Sequence, residues 1–102
     1  MTDAEFAVAL CPHMPIDAGI VHAVRVLWTA GVEVFESCQG GEGHGLPEPM
    51  VLFHGGKGAG WRAVAAAQEM GLPLLALRRC WSVIDGEPTG PDWQLVFRPM
   101  AV

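Results

Sequence analysis

The stretch IDAGIVHAVRVLWTAGVEVFESC (residues 16–38) indicates how the chain folds, because the period of its apolar residues changes within it. From residue 17 to about residue 30 the apolar positions follow one stripe of a helix. Asp17 is suited to cap the start of this helix, and Gly31 to end it with a positive φ. Over residues 32–38 the apolar positions alternate, which is typical of a strand. The stretch therefore predicts a helix that leads directly into a strand.

Four further elements are predicted downstream. Residues 50–53 are continuously apolar, as in a strand that is covered on both faces, or on one face with a dimer contact on the other. A helix is predicted over about residues 61–70, since Gly71 is suited to end it and Pro73 prevents its continuation. Strands are predicted over residues 74–84 and 93–97, with turn-forming residues between them.

The first ten residues fit two structures. Phe6, Val8 and Leu10 alternate as in a short strand, whereas Thr2 and Glu5 have the spacing of a helix capping box. We favour the strand, because two prolines follow directly. The order then predicts a single α+β domain over residues 1–102. We expect a two-layer sandwich in which four to five antiparallel strands carry two helices on one face, ferredoxin-like with an extra C-terminal hairpin.

Length, charge and cysteine content limit the classes of function. A chain of 102 residues has room for one core, and its net charge of −5 argues against binding to nucleic acid. Its apolar runs are too short to span a bilayer, and its first residues are acidic, unlike those of a signal peptide. Three cysteines cannot all pair within one chain, so we expect a cytoplasmic protein. We also expect a homodimer, since so small a chain leaves apolar surface uncovered.

Two glycine-rich segments are candidates for a ligand site. ESCQGGEGHG (residues 36–45) combines polar side chains with glycines that let backbone N–H groups converge on a bound group. HGGKGAG (residues 54–60) precedes a helix, whose N-terminus favours an anion. The alternative is that both are turns with purely structural glycines. The candidate ligand-binding residues are Ser37, Cys38, Gln39, Gly40, Gly41, Glu42, Gly43, His44, His54 and Lys57.

Cys38 is a candidate nucleophile, with His44 or His54 as its base. The alternative is an inert thiol at the end of a strand. Zinc could be held by Cys38, His44 and His54 with Cys11 or His13, but the spacing matches no standard zinc motif, and we expect no cofactor. We expect Cys38, His44 and His54 around one pocket. His54 is the weakest member, because antiparallel pairing of the two strands would place it at their far end.

The motif ESCQGGEGH resembles that of a family of small, largely uncharacterised bacterial and phage proteins. GVE (31–33), PEP (47–49), FHG (53–55) and GEPTGP (86–91) belong to the same pattern, so the resemblance covers roughly residues 11–97. It implies no established activity, although its phage members suggest sequestration of a host signalling nucleotide. Ser37, Cys38 and Gly40 loosely resemble the Ser-Cys-x-Gly element of wybutosine-synthesis proteins. Gly41 replaces the basic residue that usually follows there, and that activity is not carried over.

Three hypotheses for the function follow. The first is a small-molecule-binding module for an anionic or nucleotide-derived ligand, of the sequestering type. The second is a small enzyme that uses Cys38 and His44, or a metal-bound water. The third is a structural or partner-binding domain without a ligand.

Overall fold

The computed structural model describes residues 2–10, 16, 18–43 and 47–99. Three helices and four strands lie within these ranges, and the mixed content confirms the α+β class. In chain order they are α1 (Asp3–Leu10), α2 (Val21–Thr29), β1 (Val34–Cys38), β2 (Met50–Phe53), α3 (Lys57–Glu69), β3 (Leu74–Ile84) and β4 (Glu87–Phe97). None of the helices in these ranges is long and apolar enough to cross a membrane.

The N-terminal segment is a helix, so the predicted first strand is wrong. The backbone N–H of Glu5 donates to the Thr2 hydroxyl over 3.1 Å, and the N–H of Thr2 donates to the Glu5 carboxylate over 3.2 Å. These two hydrogen bonds form the capping box. The prolines do not oppose it, because both come after Leu10, where the helix ends. The described chain therefore has one helix more and one strand fewer than the ferredoxin-like arrangement that we expected.

The four strands form one antiparallel sheet in the order β1-β2-β4-β3. Val51 in β2 lies opposite Ser37 on one side and opposite Leu95 on the other. The last strand thus lies in the middle of the sheet and joins the β1–β2 hairpin to β3. Beyond the end of β2, β3 and β4 continue as a two-stranded ribbon.

Strand and helix boundaries follow the sequence closely in the second half of the chain. Strands β2 and β3 have the predicted bounds, while β4 begins earlier and α3 begins at Lys57. Gly31 and Gly71 follow α2 and α3 with φ values of +84° and +71°, which confirms both as helix-ending glycines. Asp17, the predicted N-cap, lies outside the described residues.

A single apolar core joins α2 and α3 to the sheet. Its members are fully or almost fully buried, as in any close-packed interior. They are Ile20, Ala23, Val24, Leu27, Val32, Val34, Val51, Phe53, Ala63, Ala67, Leu95 and Phe97. Phe6 and Leu10 of α1 pack against the edge of this core. The alternation of core residues in β2 and β4 fixes which side chains face the opposite side of the sheet.

Candidate functional site

The two glycine-rich segments lie at opposite ends of the β1–β2 hairpin. Cys38 pairs with Met50 at one end, whereas Val34 pairs with Phe53 at the other, next to His54. Four steps along the strand separate these ends by about 13 Å. The expectation that Cys38 and His54 share one pocket is therefore wrong, because the strands pair as antiparallel neighbours. His44 lies outside the described residues, so its proximity to Cys38 stays a prediction.

Structural contacts hold the loop after β1. Gly40 has a φ of +72°, and a Cβ there would lie 2.5 Å from the backbone oxygen of Glu48 and 2.7 Å from the nitrogen of Pro49. Only glycine allows this approach. The side-chain oxygen of Gln39 accepts the N–H of Gly19 over 2.9 Å, which ties the loop to the segment before α2. Gln39 and Gly40 thus have structural roles.

The other described residues of the predicted loop site fall on different surfaces. Ser37 is half-buried opposite Val51, on the core side of the sheet, while Cys38 lies on the other side opposite Met50. The Cys38 sulfur accepts the N–H of Gly40 over 3.4 Å. Gly41, Glu42 and Gly43 are exposed. Their role in binding a ligand stays a prediction.

His54 is fixed by two contacts at the far end of the hairpin. Its Nδ1 lies 3.1 Å from Oδ1 of Asp92, and its ring stacks on Phe35 with the centroids 4.2 Å apart. The Asp92 side chain is 17% exposed and that of His54 is 55% exposed. In a neutral imidazole, the Asp92 carboxylate favours the tautomer with the proton on Nδ1. The Nε2 atom then carries the free lone pair.

The turn after His54 is held by two side chains from the neighbouring strands. The Arg79 guanidinium donates to the carbonyl oxygen of Gly55, and Nε1 of Trp93 donates to that of Gly56, each over 2.9 Å. Arg79 also lies over the Trp93 ring, 4.4 Å from its centroid, in a cation–π contact. Two side-chain hydrogen bonds therefore fix the turn to β3 and β4.

An open cleft of about 380 Å³ lies beside this turn. Residues of the α2–β1 connection, of the turn and of the first part of α3 line it, and three of them are ionisable. These are Glu33, His54 and Arg62. Lys57 is exposed as the first residue of α3. Of the sequence candidates that the structure describes, His54 alone lines this cleft.

Sequence reasoning missed Arg62, Glu33 and Asp92. Arg62 could have been considered, because a guanidinium close to a helix start adds a cationic donor where the helix N-terminus already favours an anion. Asp92 carries no such signal. Its contact with His54 exists because β4 lies next to β2, which the local pattern of residues 93–97 does not determine.

Cys80 lies on β3 beside Asp92. Its sulfur lies 3.6 Å from the backbone oxygen of Asp92. Burial raises the pKa of the Cys80 thiol, the Asp92 carboxylate raises it further, and Arg79 opposes both. Cys80 is therefore a thiol at neutral pH and a poor nucleophile.

Among the described residues, no group of three or more His, Cys, Asp and Glu side chains is placed to hold a metal ion. Cys11, His13 and His44, which the zinc hypothesis also uses, lie outside those residues. Cys38 and His54, its other two members, are at opposite ends of the hairpin. The described residues thus offer no metal centre at either end.

Comparison of the chain with models of protein families, with curated proteins and with solved structures found no match. The resemblance to proteins that carry the ESCQGGEGH motif therefore depends on the sequence motifs alone. The chemistry of the cleft beside His54 is the remaining guide to function.

Proposed function

We propose that this protein binds a small anionic molecule in the cleft beside His54. One observation carries the proposal: the carbonyl groups of Gly55 and Gly56 are both held by donors from β3 and β4. A nucleotide-derived anion, as the sequence predicts, belongs to this chemical class. The proposed place of binding differs from the loop after β1, where most of the predicted ligand residues lie.

The fixed carbonyls orient the following N–H groups. In a planar trans peptide, the C=O and the N–H point in opposite directions. The N–H groups of Gly56 and Lys57 therefore point away from Arg79 and Trp93. Strand β1 and the segment that precedes it lie on the opposite side of β2 from β4. The N–H groups thus face away from β3 and β4, and convergent N–H groups bind anions.

Arg62 supplies a cationic side-chain donor beside this cleft, which His54 also lines. A guanidinium forms charge-assisted, often paired hydrogen bonds with phosphate or carboxylate. Glu33 also lines the cleft and repels a ligand that is negative throughout. The combination favours a ligand with an anionic group at one end and a hydrogen-bond donor at the other.

The proposal is tested by titrating ¹⁵N-labelled protein with inorganic phosphate and following the amide resonances. We expect the largest shifts at Gly56, Lys57 and Gly58. Arg62→Ala should weaken phosphate binding by roughly tenfold or more, because a hydrogen bond to a charged group contributes about 1.5–3 kcal/mol.

Arg98→Ala is the matched control, since it removes the same charge from an exposed residue after β4. It should leave the affinity for phosphate within about twofold of the original, apart from the general effect of net charge. Shifts confined to residues 37–43 would place the anion at the loop after β1 and contradict the proposal. Equal losses in both arginine variants would indicate unspecific attraction.

A second candidate function, proton transfer, is favoured by the contact between His54 and Asp92. With its proton on Nδ1, His54 presents Nε2 to the cleft as a base, oriented by the carboxylate. This dyad differs from the Cys38 and His44 pair of the sequence-based alternative. Imidazole ¹⁵N spectra of the neutral ring should show the Nδ1–H tautomer of His54, and Asp92→Asn should shift the population towards Nε2–H. A predominantly Nε2–H ring in the unmodified protein would exclude this role for Asp92.

A further inference from the structure

The outer half of the β3–β4 hairpin has no third strand among the described residues. Strand β2 ends where Phe53 pairs with Trp93, whereas β3 and β4 continue to the turn after Ile84. Residues 81–90 are all exposed. Trp81, Val83 and Ile84 are 61%, 73% and 58% exposed. A two-stranded ribbon is marginally stable in water, and large apolar side chains on it mark a contact surface.

The two edges of this ribbon differ in their hydrogen-bonding capacity. The outer part of β4 contains Pro88 and Pro91, which have no N–H to donate. Strand β3 forms the free edge of the whole sheet over eleven residues and contains neither proline nor glycine. A further strand can therefore be added at β3 but not readily at β4.

The turn shows which groups of β3 are available. Asp85 and Gly86 both have positive φ and form a two-residue turn that closes on the pair Ile84 and Glu87. Hydrogen-bonded and non-bonded pairs alternate along an antiparallel ladder. Val83, which pairs with Pro88, therefore points its backbone N–H and C=O away from β4. The register of the ladder shifts between Cys80 and Ser82, where two residues of β4 lie opposite Trp81.

We propose that β3 pairs antiparallel with β3 of a second copy of this chain, about a two-fold axis close to Trp81. The distribution of charge along the hairpin favours a second copy of the chain as the partner. The inner half of β3 carries Arg78 and Arg79, and the tip of the ribbon carries Asp85 and Glu87. Antiparallel pairing places the basic half of each strand beside the acidic tip of the other, whereas parallel pairing would place like charges together.

The register follows from the axis. Arg78 lies opposite Ile84 of the partner subunit, whose neighbour on the same face is Glu87. The two Trp81 residues lie opposite each other and form an aromatic cross-strand pair. The resulting dimer has one continuous sheet, and its contact surface is self-complementary, as two-fold symmetry requires. This interface is separate from the cleft beside His54, so either proposal can fail without the other.

Sedimentation equilibrium at micromolar concentration should give the mass of a dimer. Val83→Pro removes an outward N–H in each copy without removing a hydrogen bond within the hairpin. The dissociation constant should rise by about tenfold or more, since two interchain backbone bonds are lost. Val83→Thr, which keeps both the N–H and the preference for a strand, is the matched control and should remain a dimer.

Charge exchange identifies the partner as a second copy. Arg78→Glu and Glu87→Lys should each weaken the dimer, and the double variant should restore much of the affinity. A monomeric mass at 100 μM for the unmodified chain would overturn the proposal. A Val83→Pro variant that dimerises unchanged would also overturn it, because the contact would then lie elsewhere. Failure of the double variant to recover would contradict the antiparallel arrangement.

Discussion

The loop after β1 and the turn after β2 have similar compositions but different physical constraints. In the amino-acid sequence, each contains glycines, a histidine and a charged residue. In the loop, Gly40 is needed because the chain near Glu48 passes too close for a side chain, and Gln39 holds the N–H of Gly19. In the turn, the carbonyls are held by β3 and β4, and a cleft with Arg62 and His54 opens beside it.

The difference shows that a dense group of polar residues and glycines does not by itself distinguish a ligand site from a structural loop. What distinguishes them is the long-range partner of each group. A side-chain amide that is already bonded to backbone has less capacity for a ligand. A turn whose carbonyls are occupied on one side presents its N–H groups on the other.

The largest loss of stability is expected from Gly40→Ala, which tests whether the loop after β1 is structurally constrained. The alanine would have to keep the positive φ of Gly40, and its Cβ would collide with the backbone near Glu48 and Pro49. We expect a loss of about 3 kcal/mol in the free energy of unfolding, from the left-handed conformation and the steric overlap together. Urea unfolding measures it.

Gly41→Ala is the matched control for Gly40→Ala. Its φ is +96°, but no atom of the described residues, apart from its chain neighbours, lies within 4 Å of the added Cβ. The cost should be limited to the conformational part, about 1–2 kcal/mol. Equal losses for the two variants would show that the approach of Glu48 does not constrain the loop, and the loop would again resemble the turn.

The predictable parts of this protein are those fixed by local pattern. The apolar run Met50–Phe53 and the stretch Leu74–Ile84 gave their strands the correct bounds, because each is bordered by turn-forming residues. At the N-terminus, two local signals conflicted. The hydrogen bonds between Thr2 and Glu5 stabilise the helix, and the prolines lie too far along the chain to prevent it.

The candidate site was only partly predictable, for a different reason. His54 was identified from its position beside a glycine-rich helix start. Asp92 and Phe35 come from other strands, and they meet His54 only through the strand order and the register of the sheet. Contacts across strands that are distant in sequence have no local signature, so neither the dyad nor the position of the cleft could be derived.

A smaller effect is expected from Gln39→Ala. The change removes the acceptor of the Gly19 N–H, a half-buried bond between segments that are distant in sequence. The free energy of unfolding should fall by about 1 kcal/mol, the usual contribution of one such bond. Phosphate binding should be unchanged, because the loop and the cleft are at opposite ends of the hairpin.

Glu42→Ala is the control for Gln39→Ala, since Glu42 is an exposed residue of the same loop. Its effect on stability should stay within about 0.5 kcal/mol. If Gln39→Ala left stability unchanged and abolished phosphate binding, the roles assigned to the loop and to the turn would have to be exchanged.

The smallest effect concerns Cys80, which reports on the electrostatics around Asp92. Because burial and the Asp92 carboxylate raise the pKa of this thiol, its reaction with iodoacetamide near neutral pH should be slower than that of free cysteine. The rate should increase with pH as the thiolate forms. Asp92→Asn removes a negative charge and should accelerate the reaction by roughly two- to fivefold at the same pH. Arg79→Met removes the opposing positive charge and should slow it.

Peptide mass spectrometry resolves Cys80 from the other cysteines. Identical rates in all three proteins would contradict the opposing effects of Asp92 and Arg79 on the pKa of Cys80.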